Sequence, residues 1–160
     1  MVAKSGRGAE PTGEPEGGPV GDYARLCFSV YAAHHALNRV YQPLLEDLGL
    51  TYPQYLAMAA LWTRDGQTVG EIGRALQLET NTLTPLLKRL EAAGLIARAR
   101  AKSDERVVVV RLSAKGAALK ARAAAVPGCI LAATGLEAAE MERLSAELDR
   151  LRASLKVEDA

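Results

Sequence analysis

Cys27, Tyr31, His34, Asn38 and Tyr41 follow one another at intervals of 4, 3, 4 and 3 residues, the spacing that holds side chains on one face of a helix. A thiol among phenols on one face suggests a sulfur nucleophile whose anion is stabilised by hydroxyl donors, chemistry open to oxidation. The plainer reading is a small core residue, since free cysteine is among the most buried residue types. Tyr41 lies fourteen residues beyond Cys27, about 21 Å along a straight helix at roughly 1.5 Å per residue. Any contact between them needs a second chain. The other cysteine, Cys129, leaves the protein with two, too few for a disulfide scaffold, and neither has a histidine at metal-ligand spacing. His34 and His35 are adjacent and so point to different faces of a helix, with no third ligand nearby. No metal and no cofactor are expected.

A second group of residues points to phosphate. Between Arg74 and Arg122 stand eleven basic residues against four acidic ones, a balance of +7 within a chain whose net charge is +1. Within it, Thr80, Asn81, Thr82 and Thr84 crowd the start of one apolar-striped segment, with Lys88 and Arg89 about a turn later. Hydroxyls and amide N–H groups there suit phosphate oxygens, and an asparagine can present a bidentate face to adenine. Arg98, Arg100, Lys102, Asp104 and Arg106 lie in and around the polar stretch between two β-forming runs. Taken singly, the threonines read as helix caps and the strand arginines as guards of an exposed sheet edge. Taken together with their supporting elements, they read as a nucleic-acid interface.

Those elements are mostly helical. Alanine (29) and leucine (23) dominate while aromatic residues make up 4%, so a β-sandwich or barrel is not expected. Residues 1–21 hold six glycines and three prolines and read as a disordered tail. Leu26, Val30, Ala33, Leu37, Val40 and Leu44 mark a long amphipathic helix that Pro43 kinks or ends. Capping boxes Thr51/Gln54 and Thr68/Glu71 open two further helices. After a break at 77–79, the stripe Leu83, Leu86, Leu87, Leu90 runs to Gly94, giving helix, tight turn, helix. Residues 96–101 and 107–112 form the one strong hairpin signal, with the polar 102–106 as its tip. Ser113 caps a helix that Pro127-Gly128 interrupts, and a Thr134/Glu137 box opens a last one carrying Met141, Leu144, Leu148, Leu151 and Leu155. Trp62 reads as a core anchor. No apolar run reaches the roughly 18 residues of a bilayer crossing, and the first residues lack a signal-peptide pattern, so a cytoplasmic protein without membrane association is expected.

A helix-turn-helix followed by a hairpin with a basic tip is the plan of a winged helix-turn-helix domain. The run TLTPLLKRLEAAGLIARARAKSDERVVVVRL, from Thr82 to Leu112, resembles the recognition helix and wing of the MarR family of bacterial repressors, and Asp104-Glu105-Arg106 matches its wing-tip D-x-R. The resemblance implies that Arg106 enters a minor groove and that Asp104 helps to orient a neighbouring arginine. Glu79-Thr80-Asn81 departs from the triplet usual in relatives, so no operator sequence is implied. The segments Leu26-Cys27-Phe28, Tyr41 to Leu45 and Thr51 to Leu56 narrow the resemblance to the organic-hydroperoxide-sensing branch, the OhrR type, over roughly residues 26–131. That branch implies Cys27 as peroxide sensor, Tyr41 and Tyr52 as its hydrogen-bond donors with Tyr31 close by, and antiparallel first helices across a two-fold axis. In a two-cysteine subclass a thiol in the Cys129 region resolves the sulfenic acid, against the alternative of a passive core cysteine.

The expected protein is therefore mainly α with a small β-hairpin. It divides into a tail (1–21), an N-terminal dimerisation and sensor helix (22–50), a winged helix-turn-helix (51–112) and C-terminal dimerisation helices (113–160). As a homodimer it would bind an inverted-repeat operator in double-stranded DNA and release it when organic hydroperoxide oxidises Cys27. One rival is a MarR-type regulator of a phenolic or aromatic ligand. Another is a thiol peroxidase, disfavoured because no C-x-x-C and no alternating strand-helix pattern is present and an enzyme has no need of a basic wing.

Overall fold

The structure, a computed structural model, describes residues 19–101 and 104–155, with side chains from Gly21 onward. Among the described residues, seven helices and three strands follow in the order α1 (Pro19–Glu46), α2 (Tyr52–Thr63), β1 (Gln67–Thr68), α3 (Val69–Leu76), α4 (Thr80–Ala92), β2 (Ile96–Arg100), β3 (Val108–Leu112), α5 (Ala114–Ala123), α6 (Val126–Thr134) and α7 (Ala138–Ser154). The chain forms two compact units, residues 1–37 and 38–160. In the first, the described residues are the N-terminal part of α1, where Tyr23, Phe28 and Tyr31 are exposed. Most of the expected tail lies outside the described residues, and its last three, Pro19 to Gly21, already belong to α1.

The second unit holds the core. Leu45 and Leu50, from the end of α1 and the turn after it, pack with Met58 and Leu61 of α2, Ile72 of α3 and the α4 leucines. The element-based division at residue 50 thus falls inside this packing. Pro43 neither ends nor breaks α1, which continues to Glu46. The Thr51/Gln54 and Thr68/Glu71 boxes form as expected: Thr51 N–H donates to Gln54 at 2.8 Å, and Thr68 N–H to Glu71 at 2.7 Å. The Thr68 backbone donor, then Arg64, then the Thr68 hydroxyl hold the Glu71 carboxyl down at about 2.

Four expectations change. The sheet has a third strand: β1 pairs with β3 through Gln67↔Val110, in the order β1-β3-β2. Two residues are too short for an alternation signal, and Gln67 is recruited by tertiary contacts, its amide donating to the Ala60 and Arg64 carbonyls at the end of α2. The helix after Ser113 breaks at 124–125, before Pro127-Gly128; Pro127 lies in the first turn of α6, where its missing N–H costs no intrahelical bond. Thr134 does not cap α7. Its hydroxyl donates to the Leu131 carbonyl at the end of α6, and Glu137 caps α7 with Glu140. Ala114–Thr134 does have the length and mean hydropathy (1.2) of a bilayer crossing. Leu119, Ala123, Val126 and Ile130 from this stretch belong to the core cluster.

Helix α5 is the structural hub. Gly116 packs so closely on β2's approach that a Cβ there would collide with the Leu95 carbonyl, while its own carbonyl accepts Trp62 Nε1–H at 2.9 Å. Three cations of α5 reach backbone carbonyls at three helix ends. Lys120 Nζ donates to Trp62 in α2 at 2.9 Å, Lys115 Nζ to Ala93 after α4 at 2.8 Å, and Arg122 to Asp47 after α1. Cations there complement the negative ends of the helix dipoles.

Candidate DNA interface and thiol site

Helix α3, the 77–79 turn and α4 form the helix-turn-helix. Gln77 makes the turn in the left-handed region at φ 53°, and its side-chain amide donates to the Arg74 carbonyl at 2.7 Å. The cap of α4 is Glu79, whose carbonyl accepts the N–H groups of Thr82 and Leu83 while its side chain makes no cap bond. Thr80, Asn81 and Thr82 are therefore not used as caps. All three are exposed, Thr84 is half-buried, and Lys88 and Arg89 are exposed further along the helix. The opposite face, Leu83, Leu86, Leu87 and Leu90, is buried, so the core stripe fixes which face of α4 meets solvent. Asn81 Oδ1 accepts the Thr82 hydroxyl at 3.2 Å, a local bond that a base edge would share or replace.

The wing is the β2-β3 hairpin, paired from Ile96↔Leu112 to Arg100↔Val108. At its tip Asp104 builds the turn: Oδ1 accepts the Arg106 N–H at 2.9 Å and its carbonyl accepts the Val107 N–H at 3.0 Å. The aspartate orients Arg106 through the backbone, leaving its guanidinium exposed. Arg100 is exposed beside Glu105, at 4.0 Å. Lys102 lies outside the described residues. Arg98 differs from its neighbours, because its Nε and Nη2 donate to Glu91 Oε2 at 2.9 and 2.6 Å and its N–H to Oε1 at 3.1 Å. With Lys115, Lys120 and Arg122 on carbonyls, four basic residues of the polarised segment hydrogen-bond to protein acceptors among the described residues. No feature of composition separates those four from the rest.

Tyr41 and Tyr52 come together, their ring centroids 4.6 Å apart, and Tyr55 joins them at 5.8 Å from Tyr41. Sequence reasoning did not assign Tyr55; its i+3 spacing from Tyr52 was the available signal. Burial, then the neighbouring phenols Tyr52 and Tyr55, push Tyr41 up to about 12. Burial likewise raises Tyr52 and Tyr55. All three stay neutral hydrogen-bond donors at any physiological pH. Tyr31 stacks edge-on against His35 at 4.3 Å. Cys27 on α1 and Cys129 on α6 are both free and exposed in the single chain.

Residues 39–122 match the family model of the transcriptional regulator SarA/Rot. The chain is 42% identical over 131 residues to the organic hydroperoxide resistance transcriptional regulator of Bacillus subtilis, covering 82% of this chain and 89% of that one. It is 46% identical over 132 residues to the HTH-type transcriptional regulator TtmR of Methylorubrum extorquens, covering 82% and 68%. Among solved structures, AbfR of Staphylococcus epidermidis is similar at 35% identity and a TM-score of 0.72, over 86% of this chain and 95% of that one. AbfR is also known reduced on DNA (TM-score 0.73, 35% identity, 86% and 96% covered), overoxidized on DNA (0.73, 35%, 86% and 97%) and with its disulfide formed (0.61, 35%, 83% and 93%).

Proposed function

The chain belongs to the MarR family of transcriptional regulators, on its organic-hydroperoxide-sensing branch, and from that premise we propose that Cys27 is the sensing thiol and Cys129 its resolving partner. The protein is a cytoplasmic DNA-binding repressor and a homodimer, not an enzyme, and it answers organic hydroperoxide through cysteine redox chemistry. The observation that carries this reading is the 42% identity to a regulator of organic hydroperoxide resistance across 131 residues, 82% of this chain and 89% of that one.

The Cys27 thiolate attacks the distal oxygen of ROOH; the S–O bond forms as the O–O bond breaks, and the alkoxide leaves, taking a proton to become the alcohol. Neutral phenols are the natural donors to such an anion, and Tyr41 and Tyr52, kept protonated by their shared burial, supply them. Because the helix spacing rules out a contact along one straight helix, Tyr41 of the partner subunit is the group assigned to Cys27. The sulfenic acid then condenses with the Cys129 thiol, releasing water and forming the disulfide. Overoxidized AbfR is bound to DNA, which favours the disulfide, rather than oxygenation alone, as the releasing event here.

On DNA, Thr80, Asn81, Thr82, Thr84, Lys88 and Arg89 of α4 face the major groove of each half of an inverted repeat. Arg106, with Arg100 and Lys102, serves the wing's groove and backbone contacts. The test is a gel shift on the duplex upstream of this protein's own gene, with reduced protein and then after an organic hydroperoxide. Binding that is lost on oxidation and restored by dithiothreitol supports the reading. Binding indifferent to peroxide but sensitive to a phenolic ligand would replace it.

A further inference from the structure

Glu91 stands in the last turn of α4, where a carboxylate opposes the negative end of the helix dipole. The structure compensates this placement with one residue. Arg98 brings both a forked guanidinium and a backbone N–H to the same carboxylate, at 2.9, 2.6 and 3.1 Å. The bonds, Arg98's side-chain donation first among them, hold the Glu91 carboxyl below its ordinary range. Only 22% of the Arg98 side chain is exposed, against 72% for Arg100 two residues on. β2 is the edge strand of the sheet, so the Arg98 N–H taken up by Glu91 is one that β3 does not receive.

We propose that Glu91 and Arg98 are a positioning pair that locks the root of the wing to the end of the recognition helix, so that both DNA-reading elements keep one fixed geometry. The geometry shows why a root clamp matters at the tip. Arg98 is in register with Val110, four residues before which stands Arg106. At about 3.3 Å per residue the arm is roughly 13 Å, and a root rotation of about 10° moves the tip by about 2 Å. That exceeds what a groove hydrogen bond tolerates. Arg98 therefore acts on DNA through Arg106, and its guanidinium contacts no phosphate.

The inference rests on the wing reading above, and a double-mutant cycle separates the two. Affinity is measured on the upstream duplex with reduced protein at one salt concentration. Glu91→Gln and Arg98→Ala should each weaken binding about tenfold in the wild-type background and less than about threefold when Arg106→Ala is already present. Arg98→Lys keeps the charge without the fork and should still weaken binding, while the exchange Glu91→Arg with Arg98→Glu should recover most of the loss. The clamp is overturned if Glu91→Gln leaves affinity unchanged or tightens it, or if Arg98→Ala and Arg106→Ala simply add. If Arg106→Ala alone has no effect, the wing reading fails and the clamp fails with it.

Discussion

At the scale of single residues, the proposed sensor gives the reaction to the thiols and its environment to the phenols. Serine at position 27 keeps the approximate volume and loses the nucleophile, so Cys27→Ser should bind DNA normally and stay bound when organic hydroperoxide is added, as read by gel shift. Cys129→Ser should form no Cys27–Cys129 disulfide under one equivalent of peroxide, and under excess peroxide mass spectrometry should find Cys27 carried to the sulfinic acid. The phenols report on themselves through alkaline pH. Tyr41 is raised to about 12, by burial first and then by Tyr52 and Tyr55. A raised phenol favours the neutral form in the folded state. Its stabilising contribution is complete below the unfolded value near 10 and is lost as pH rises from there through about 12. Unfolding free energies by denaturant titration should fall over that window in the wild type, and Tyr41→Phe should flatten the fall.

Among elements, α5 and the wing make opposite uses of their cations. On α5 they hold helix ends, and the helix approaches β2 so closely at Gly116 that any side chain strikes the Leu95 carbonyl. Gly116→Ala should therefore cost about 1 to 3 kcal/mol of stability, the range for overpacking a filled core, measured by thermal or urea unfolding. On α4 and the wing tip the cations face outward. Replacing Lys88 or Arg89 with alanine should lower the salt dependence of operator binding by about one unit for each phosphate contact removed, while Arg106→Ala should cost about 1 to 3 kcal/mol of specific binding. Fluorescence anisotropy across a salt series measures both. Equal slopes for Lys88→Ala and wild type would return Lys88 to solvent.

For the whole molecule, the single chain leaves apolar side chains exposed that a dimer can cover. Leu144 and Leu148 of α7 are 51% and 46% exposed, and Phe28 of α1 is 73% exposed. Leu148→Glu places a charge in such an interface and should shift the protein to monomers in sedimentation velocity. Operator affinity should fall with it, since two half-sites bound through one dimer are joined at high effective concentration and two monomers are not. A monomeric Leu148→Glu protein that binds the full operator with wild-type affinity would remove dimerisation from recognition.

Most of the fold was legible in the residues because its elements are local. Capping boxes at Thr51 and Thr68, the α4 leucine stripe ending at Gly94, and the β-branched run before Leu112 are each patterns written in a few neighbouring residues. The thiol, the tyrosines and the wing-tip Asp104 and Arg106 stand out in the sequence in the same way, as spacings and a short motif, and their roles are those proposed above. What depended on the tertiary structure is where a group finds its partner far along the chain. Gln67 becomes a strand through Val110, 43 positions away, and Lys120 reaches the Trp62 carbonyl across 58. Tyr55 joins Tyr41 only when α2 folds against the end of α1. A side chain's charge is a property of its residue type, but the acceptor that charge finds is a property of packing. The sequence alone therefore marked a basic segment, and only the folded chain divided it into cations that hold the protein together and cations that face outward.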